Sequence, residues 1–262
     1  RRLSLIEFFN KEDSFKFEIL DLLKGISDLD RLVGKLAAEK ISPKELGYLR
    51  QSLINIQKIR ELLSSHHDVL AWLEPLNNLE ELISYLQNHL NEELPVNLNK
   101  GNVIKSEVSE ELDRLRNLQT KGKGFLDEMC QREIEKTGIS SLKIDFNNVF
   151  GYYIEVRNTH KDKVPEDWIR KQTLVNAERY ITEELKEYET QILGAEEKIS
   201  QIEHQLYRQV CENVMMYIDQ IQENSNLIAQ LDCAVSLSEL AISENYTKPV
   251  LNETFAIDIK EG

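Results

Sequence analysis

The side chains whose chemistry best suits binding are basic and polar residues that cluster between positions 161 and 179. The predicted contact set is Lys161, Lys163, Arg170, Lys171, Gln172, Thr173, Asn176 and Arg179. Local patterning places the residues from 170 to 179 on neighbouring strands, so we expect their side chains to lie close together. Ammonium, guanidinium, hydroxyl and amide groups suit phosphate oxygens, and such contacts position a protein on a nucleic-acid backbone.

The same run also has a purely structural interpretation. Arg170 and Lys171 could be solvated charges at the end of a strand. The nearby aromatic residues could stack on bases, but aromatic residues at strand spacing are more often core residues. We therefore assign these aromatic side chains to the core of the module: Tyr152, Tyr153, Trp168 and Tyr180.

No pattern in the chain predicts catalysis. The GxxxxGK[ST], GxGxxG and HExxH motifs do not occur. His66 and His67 are adjacent and would point about 100° apart on a helix, so we expect them to face solvent instead of a metal. The acidic pairs 183–184 and 196–197 predict a solvated helix face with lysine partners one turn away. We expect this segment not to be an enzyme and to hold no cofactor or metal of its own.

The composition predicts a protein of the cytosol. Charged residues make up 30% of the chain, the mean hydropathy is -0.44, and no run approaches the ~18 apolar residues of a spanning helix. The sequence does not open with a signal-peptide pattern. Three widely spaced cysteines, Cys130, Cys211 and Cys233, indicate reduced thiols. The chain begins Arg-Arg without Met, which suggests an excised fragment.

The charge is distributed unevenly along the chain. The whole chain carries a net charge of -14, which by itself disfavours a nucleic-acid partner. Residues 141–182, however, hold seven bases and six acids and are net +1, while the remainder is net -15. A polyanion would therefore meet the chain at this segment, because like charge repels it elsewhere.

Residues 137–182 predict a small β island between two long helical arms. Apolar residues recur at every second position in two runs: Leu142, Ile144, Phe146 and Tyr152, Ile154, Val156. A period of two is typical of half-buried strands. Gly151 falls where the intervening turn needs backbone freedom.

The chain before the island is predicted to be helical. Ser42, Pro43 and Glu45 form a strong start signal, with a capping serine, a first-turn proline and a capping box. Gly138 predicts the stop of the ascending arm. Residues 3–24 are predicted to be helical, with a break near 10–14. Further predicted helices span 28–40, 42–64, a stretch after Pro75 to about Leu90, and 109–136. Residues 91–106 are predicted to be a partly extended connection.

The returning arm predicts a coiled coil. Its seam residues fall at a/d spacing: Leu185, Tyr188, Ile192, Ala195, Ile199, Ile202 and Leu206. A four-residue stutter should follow Leu206 at Val210. We expect one helix over 183–224 that pairs antiparallel with the ascending arm; a homodimeric coiled coil is the alternative. A further helix over 227–242 and a terminal strand at 255–259 complete the prediction.

Long stretches of the sequence resemble MutS-type DNA mismatch-repair proteins. FGYYIEVRNTH and RKQTLVNAERYITEELKEYETQIL resemble the clamp region of that family. ISDLDRLVGKLAAEKISPKELGYLRQSLINIQKIRELL resembles its core helices, and ELDRLRNL with EIEKTGISSLK its ascending lever. LIAQLDCAVSLSELAISENYTKPVL resembles its returning lever. The resemblance covers essentially the whole chain.

The resemblance implies a division of the chain and a fold. Residues 1–136 would form core and ascending lever helices, 137–182 a β clamp, 183–250 the returning lever, and 251–262 the start of an ATPase domain. The expected fold is mainly α, a helical bundle with long antiparallel lever helices that carry a small antiparallel β insert at the tip.

The resemblance also implies a function. In the family this region grips duplex DNA through non-specific backbone contacts and couples that grip to the ATPase state of the parent protein. The mismatch-binding Phe-x-Glu wedge and the P-loop lie outside these 262 residues, so ATP and Mg²⁺ would belong to the parent. The parent is expected to be a homodimer with a MutL-type partner, in the bacterial cytosol at the nucleoid. The alternative is a structural helical scaffold whose β tip docks on another protein.

Overall fold

The fold is mainly α-helical with one small antiparallel sheet, as predicted. The computed structural model describes residues 2–11, 13–66, 69, 74–147, 149–250, 253, 255 and 257–259. The chain forms two compact units, Arg1–Val96 with Val210–Gly262, and Asn97–Gln209. None of the helices in the described part of the chain is long and apolar enough to cross a membrane.

The helix bounds follow the predicted pattern closely as far as the end of the ascending arm. In chain order the helices are α1 (Arg2–Lys11), α2 (Asp13–Lys24), α3 (Leu29–Ala37), α4 (Pro43–Ser64), α5 (Glu80–His89), α6 (Glu110–Thr137), α7 (Glu183–Met215) and α8 (Ile218–Ser243). Gly138 ends α6 in the left-handed region with φ 69°, and its N–H donates to the carbonyl of Ile134.

The first turn of α4 confirms the predicted capping box. The N–H of Glu45 donates to Oγ of Ser42 at 3.4 Å, and the N–H of Ser42 donates to Oε2 of Glu45 at 3.1 Å. Lys35 donates to the same carboxylate. The Lys35 hydrogen bond and the backbone hydrogen bond lower the pKa of Glu45 to about 2. One side chain thus ties the start of α4 to α3.

The predicted single helix over 183–224 is wrong. Helix α7 ends at Met215 and α8 begins at Ile218, with a turn between them. In that turn the N–H of Tyr217 donates to the carbonyl of Val214, three residues back, at 3.0 Å. Because Val214, Tyr217 and Ile221 keep helical spacing through the turn, the apolar pattern did not reveal it.

The two arms of the second unit pair antiparallel, as predicted. The residue numbers of the contacts rise along α6 while those of their partners fall along α7. The contacts join Arg116 to Glu203, Gln119 to Glu196, Phe125 to Tyr188, and Arg132 to Glu184. The Phe125 and Tyr188 rings stack with centroids 5.1 Å apart. The seam is therefore filled within one chain.

The predicted seam holds for the first half of α7 only. Leu185, Ile192 and Ala195 are buried, but Ile199 and Leu206 are partly exposed. Glu203 takes an inner position instead, 1% exposed, where Arg116 contacts it. The change in which helix positions face inward therefore comes earlier than the predicted stutter after Leu206. Only a three-dimensional partner can place a carboxylate inside a seam, so apolar spacing missed it.

The island is a four-stranded antiparallel sheet in the order β1-β2-β4-β3. The strands are β1 (Lys143–Asn147), β2 (Gly151–Arg157), β3 (Ile169–Thr173) and β4 (Ala177–Ile181), with a 3₁₀ helix at Asn158–Lys163. One face packs on the arms around a core of Met129, Ile139, Leu142, Ile154, Val156, Trp168, Tyr180 and Leu185.

The aromatic residues divide between the two faces of the sheet. Trp168 and Tyr180 lie in the core, as predicted. Tyr153 is also buried, but on the opposite face, because its ring is covered by Arg179. Its predicted burial is therefore confirmed, although it lies on the face opposite to this core. Tyr152 is partly buried and packs against the core.

The predicted terminal strand lies partly outside the described residues. Residues 255 and 257–259 are described and are not assigned to a strand. The side chains of Phe255, Ile257 and Ile259 are exposed. The remaining positions of 251–262, apart from residue 253, are not among those described.

Candidate nucleic-acid interface

The two hairpin turns of the island lie at opposite ends of the sheet. Gly151 opens β2 at one end with φ 79°, and the carboxylate of Glu189 on α7 lies where a side chain at 151 would project. The first residue of β2 therefore lies beside α7. The β3–β4 turn is paired with the far end of β2. We call residues 157–163 and 170–176, at that far end, the tip.

Asn158 fixes the two halves of the tip together. Its N–H donates to the carbonyl of Asn176 at 3.1 Å, and its side-chain Nδ2 donates to the carbonyl of Val175 at 2.9 Å. The N–H of Leu174 closes the turn onto the carbonyl of Ala177 at 2.8 Å. The 3₁₀ helix with its two lysines is thus held beside the β3–β4 turn.

The lysines of the tip remain open to solvent. Lys161, Lys163 and Lys171 are exposed, and none forms an ion pair within the described residues. Lys171 sits at a β-bulge, where the β3–β4 register shifts between Arg170 and Gln172. A bulge re-aims the side chain it carries.

Arg157 is a further exposed cation that the predicted set omitted. It ends β2, directly before the 3₁₀ helix, and it too lacks an ion pair in the part of the chain that the structure describes. Its position beside Lys161 and Lys163 in the sequence was the available signal. Thr173 and Asn176 are exposed next to these cations.

Arg170 is anchored on the core side of the sheet. Its Nη1 donates to Oε1 of Glu178 at 3.2 Å, while 60% of its side chain stays exposed. The hydroxyl of Tyr180 donates to the other oxygen of Glu178. The hydrogen bond from Tyr180 and the charge of Arg170 lower the pKa of Glu178 despite its burial. Burial and the Glu178 contact raise the pKa of Tyr180 to about 12.

Arg179 is anchored on the other side of the sheet and is largely covered. Its Nε donates to Glu155 at 3.2 Å, its Nη1 donates to Oε1 of Gln172 at 3.0 Å, and its guanidinium lies 4.2 Å from the ring centroid of Tyr153. Only 18% of the Arg179 side chain is exposed. Phosphate contact by Arg179 and Gln172 stays a prediction, and both side chains already have internal partners.

The tip is strongly basic for so acidic a chain. Its two segments hold five bases and one acid, Asp162. Trp168 and Tyr180 are buried in the core and so do not offer a stacking surface. No cluster of three metal-ligating side chains occurs among the described residues. The arrangement can attract and position a polyanion by charge and hydrogen bonding.

Comparison with known proteins identifies the relatives of this chain. The model of MutS family domain IV matches residues 107–198. The whole chain is 53% identical to the DNA mismatch repair protein MutS of Flavobacterium psychrophilum. Over its whole length, the chain is therefore similar to a segment of MutS-family proteins. MutS of Christiangramia forsetii is 50% identical and that of Bacteroides thetaiotaomicron 46%, again over the whole chain.

The match to the MutS family concerns a segment of those relatives. The chain spans 30% of the length of each of these three proteins. The domain IV match covers the whole of α6, the whole island and the first half of α7. The compact unit Asn97–Gln209 likewise groups the arms with the island. The domain boundaries at 136, 182 and 250 stay predictions.

Proposed function

We propose that this segment holds duplex DNA through backbone contacts at the tip and couples that grip to the ATPase state of a whole MutS-family protein. One observation carries the proposal: unpaired lysines converge at one end of the island in a chain that is otherwise strongly acidic. A phosphate backbone would be attracted to the tip and repelled elsewhere. The relatives' name, DNA mismatch repair protein, agrees with a DNA partner.

The chemistry of the tip favours contact with the phosphate backbone of DNA and not recognition of its bases. Its groups are mostly lysine and arginine, which meet phosphate without carrying sequence information. Of the aromatic residues that could stack on bases, Tyr153, Trp168 and Tyr180 are buried, and Tyr152 is partly buried. A mismatch would therefore be sensed elsewhere in the whole protein, and this segment would add affinity without selectivity.

The arms support the coupling part of the proposal. Helices α6 and α7 are joined by polar and aromatic contacts along their length, including the partly buried Arg116–Glu203 pair. Two helices held in one register can transmit a displacement between their ends. ATP with Mg²⁺, a homodimeric parent, a MutL-type partner and a nucleoid location belong to this proposal as properties of the whole protein.

A protein-docking tip is the second candidate function. It is favoured by Val175, which is 92% exposed at the centre of the β3–β4 turn. An exposed apolar side chain held by a fixed turn suits a protein surface. Failure of the purified chain to bind duplex DNA at low salt would favour this candidate.

A charge-removal experiment tests the proposed function. The triple variant of Lys161, Lys163 and Lys171 to Ala is compared with a control triple variant of exposed lysines outside the tip, Lys58, Lys186 and Lys198 to Ala. Both lose the same net charge. We expect the tip variant to lose about a hundredfold or more in affinity for duplex DNA at low salt, because about three phosphate contacts disappear.

The control triple variant should bind almost as well as the parent chain. Equal loss in both variants would show that total charge governs binding and not the tip. Unchanged binding by the tip variant would show that the contact lies elsewhere. Circular dichroism should give the same spectrum for all three proteins.

A further inference from the structure

Glu178 is a buried carboxylate whose two partners link the core to the surface. It lies on β4 with 9% of its surface exposed. A buried carboxylate needs hydrogen-bond donors, because its desolvation is otherwise very unfavourable. Tyr180 supplies one donor from the core side and Arg170 supplies the other from the solvent side.

The sheet register explains how these three side chains meet. Arg170 is paired with Tyr180 across β3 and β4, so both side chains project from the same face. Glu178 lies two residues along β4 and shares that face. Glu178 is nearer to the β3–β4 turn than Tyr180 is, so its carboxylate draws the guanidinium of Arg170 towards that turn.

Tyr180, at the inner end of this set of three side chains, is packed in the core, and Arg170, at the outer end, is open to solvent. The rings of Tyr180 and Trp168 pack in the core with centroids 5.9 Å apart. At the outer end, the Arg170 side chain uses one N–H towards Glu178 and forms no other hydrogen bond within the described residues. Arginine has five N–H donors, so a second acceptor can be bound while the Glu178 contact is kept.

We propose that Glu178 and Tyr180 are positioning residues that hold the guanidinium of Arg170 in the orientation in which it meets a phosphate of duplex DNA. The inference rests on the proposed function of the tip. A side chain that is ordered before binding loses less conformational freedom on binding. Lys171 lacks such a partner, so it contributes charge without a fixed direction.

The test uses the full chain and a fluorescein-labelled, perfectly paired duplex, with affinity measured by anisotropy at low salt. Tyr180→Phe removes only the hydroxyl that holds Glu178. We expect it to weaken binding several-fold in the parent chain and to have no further effect in an Arg170→Ala background. Tyr152→Phe, a tyrosine on the same face without a contact to Glu178, is the control and should bind as the parent chain does.

Glu178→Gln distinguishes most sharply between a positioning role of Glu178 and an effect of its charge alone. Removal of a negative charge near the tip should strengthen DNA binding if Glu178 acts only through its charge. A positioning role predicts weaker binding, together with higher mobility of the Arg170 Nε–H group in ¹⁵N relaxation. This relaxation measurement needs no DNA, so it reports on positioning even where a variant is less stable.

The outcomes distinguish failure of the positioning role from failure of the proposed function of the tip. One outcome would overturn the positioning role alone. In it, Arg170→Ala weakens binding, whereas Tyr180→Phe and Glu178→Gln change neither the binding nor the mobility of Arg170. Unchanged binding by Arg170→Ala would overturn it as well. If the triple lysine variant also keeps full affinity, the proposed function of the tip fails too.

Discussion

At the residue scale, the tip carries two kinds of cation. Arg170 is held by a carboxylate with a second, internal partner, whereas Lys161, Lys163 and Lys171 are exposed and unpaired in the described structure. Arginine forms directed, planar hydrogen bonds and lysine acts as a mobile point charge. The anchored cation thus suits orientation, and the open cations suit long-range attraction.

Residue-scale electrostatics can be tested at Glu45. Its pKa of about 2 lies below the ordinary value of 4.5, so its contribution to stability is present above 4.5 and is lost as the pH falls from there towards 2. Glu45→Gln should lower the free energy of unfolding by about 1 kcal/mol at pH 7, the usual scale of a helix cap.

Urea unfolding followed by circular dichroism measures this effect at pH 7 and again at pH 3. The difference between the parent chain and Glu45→Gln should shrink at pH 3. Glu197→Gln, on an exposed part of α7, is the control and should change stability little at either pH. A difference that grows at pH 3 would contradict the assigned role of the Glu45 carboxylate.

Sequence reasoning predicted the local positions of most candidate site residues but not their partners. The run from Arg170 to Arg179 was correctly placed on neighbouring strands, because alternation and turn residues are local signals. That Arg179 lies over Tyr153 could not be read from the chain, since the contact depends on the register of β2 against β4. The same holds for the Glu178 anchor, which needs the β3–β4 register.

At the element scale, the arms combine an apolar seam with an ion pair whose carboxylate is buried. Heptad spacing predicted the seam from Leu185 to Ala195, where Leu185, Ile192 and Ala195 are buried and Tyr188 is partly buried. Beyond that point Glu203 replaces an apolar seam residue, because Arg116 on the facing helix reaches it. A single buried pair of this kind can specify the register of two helices, at little gain in stability.

The buried part of the seam can be tested with two adjacent residues on α7. Ile192 is 5% exposed and Leu193 is 45% exposed. Ile192→Asp places a charge in the seam and should lower the free energy of unfolding by about 3 kcal/mol or more. Leu193→Asp should change it by about 0.5 kcal/mol, as is usual for surface substitutions.

Thermal and urea unfolding of the two variants give the comparison directly. The two substitutions are matched in chemistry, helix and net charge. Equal stability of Ile192→Asp and Leu193→Asp would mean that the arms do not bury this seam. The antiparallel pairing of α6 and α7 would then be wrong.

At the scale of the whole molecule, charge is separated along the chain. The arms and helical regions carry the acidic excess, whereas the two segments of the tip hold five bases and a single acid. This separation was visible in the sequence as a net charge of +1 for residues 141–182 against -15 for the rest. The fold sharpens it, because Asn158 brings the 3₁₀ helix next to the β3–β4 turn.

The central claim is that the tip holds the backbone of duplex DNA without reading bases. The most direct measurement is a salt titration of the affinity of the purified chain for a perfectly paired duplex and for the same duplex with one mismatch. We expect a slope of log affinity against log salt of about -2 to -4, because only a few cations at the tip release counterions. The slope and the affinity should be the same for both duplexes. Clear preference for the mismatch, or affinity that does not change with salt, would contradict the account.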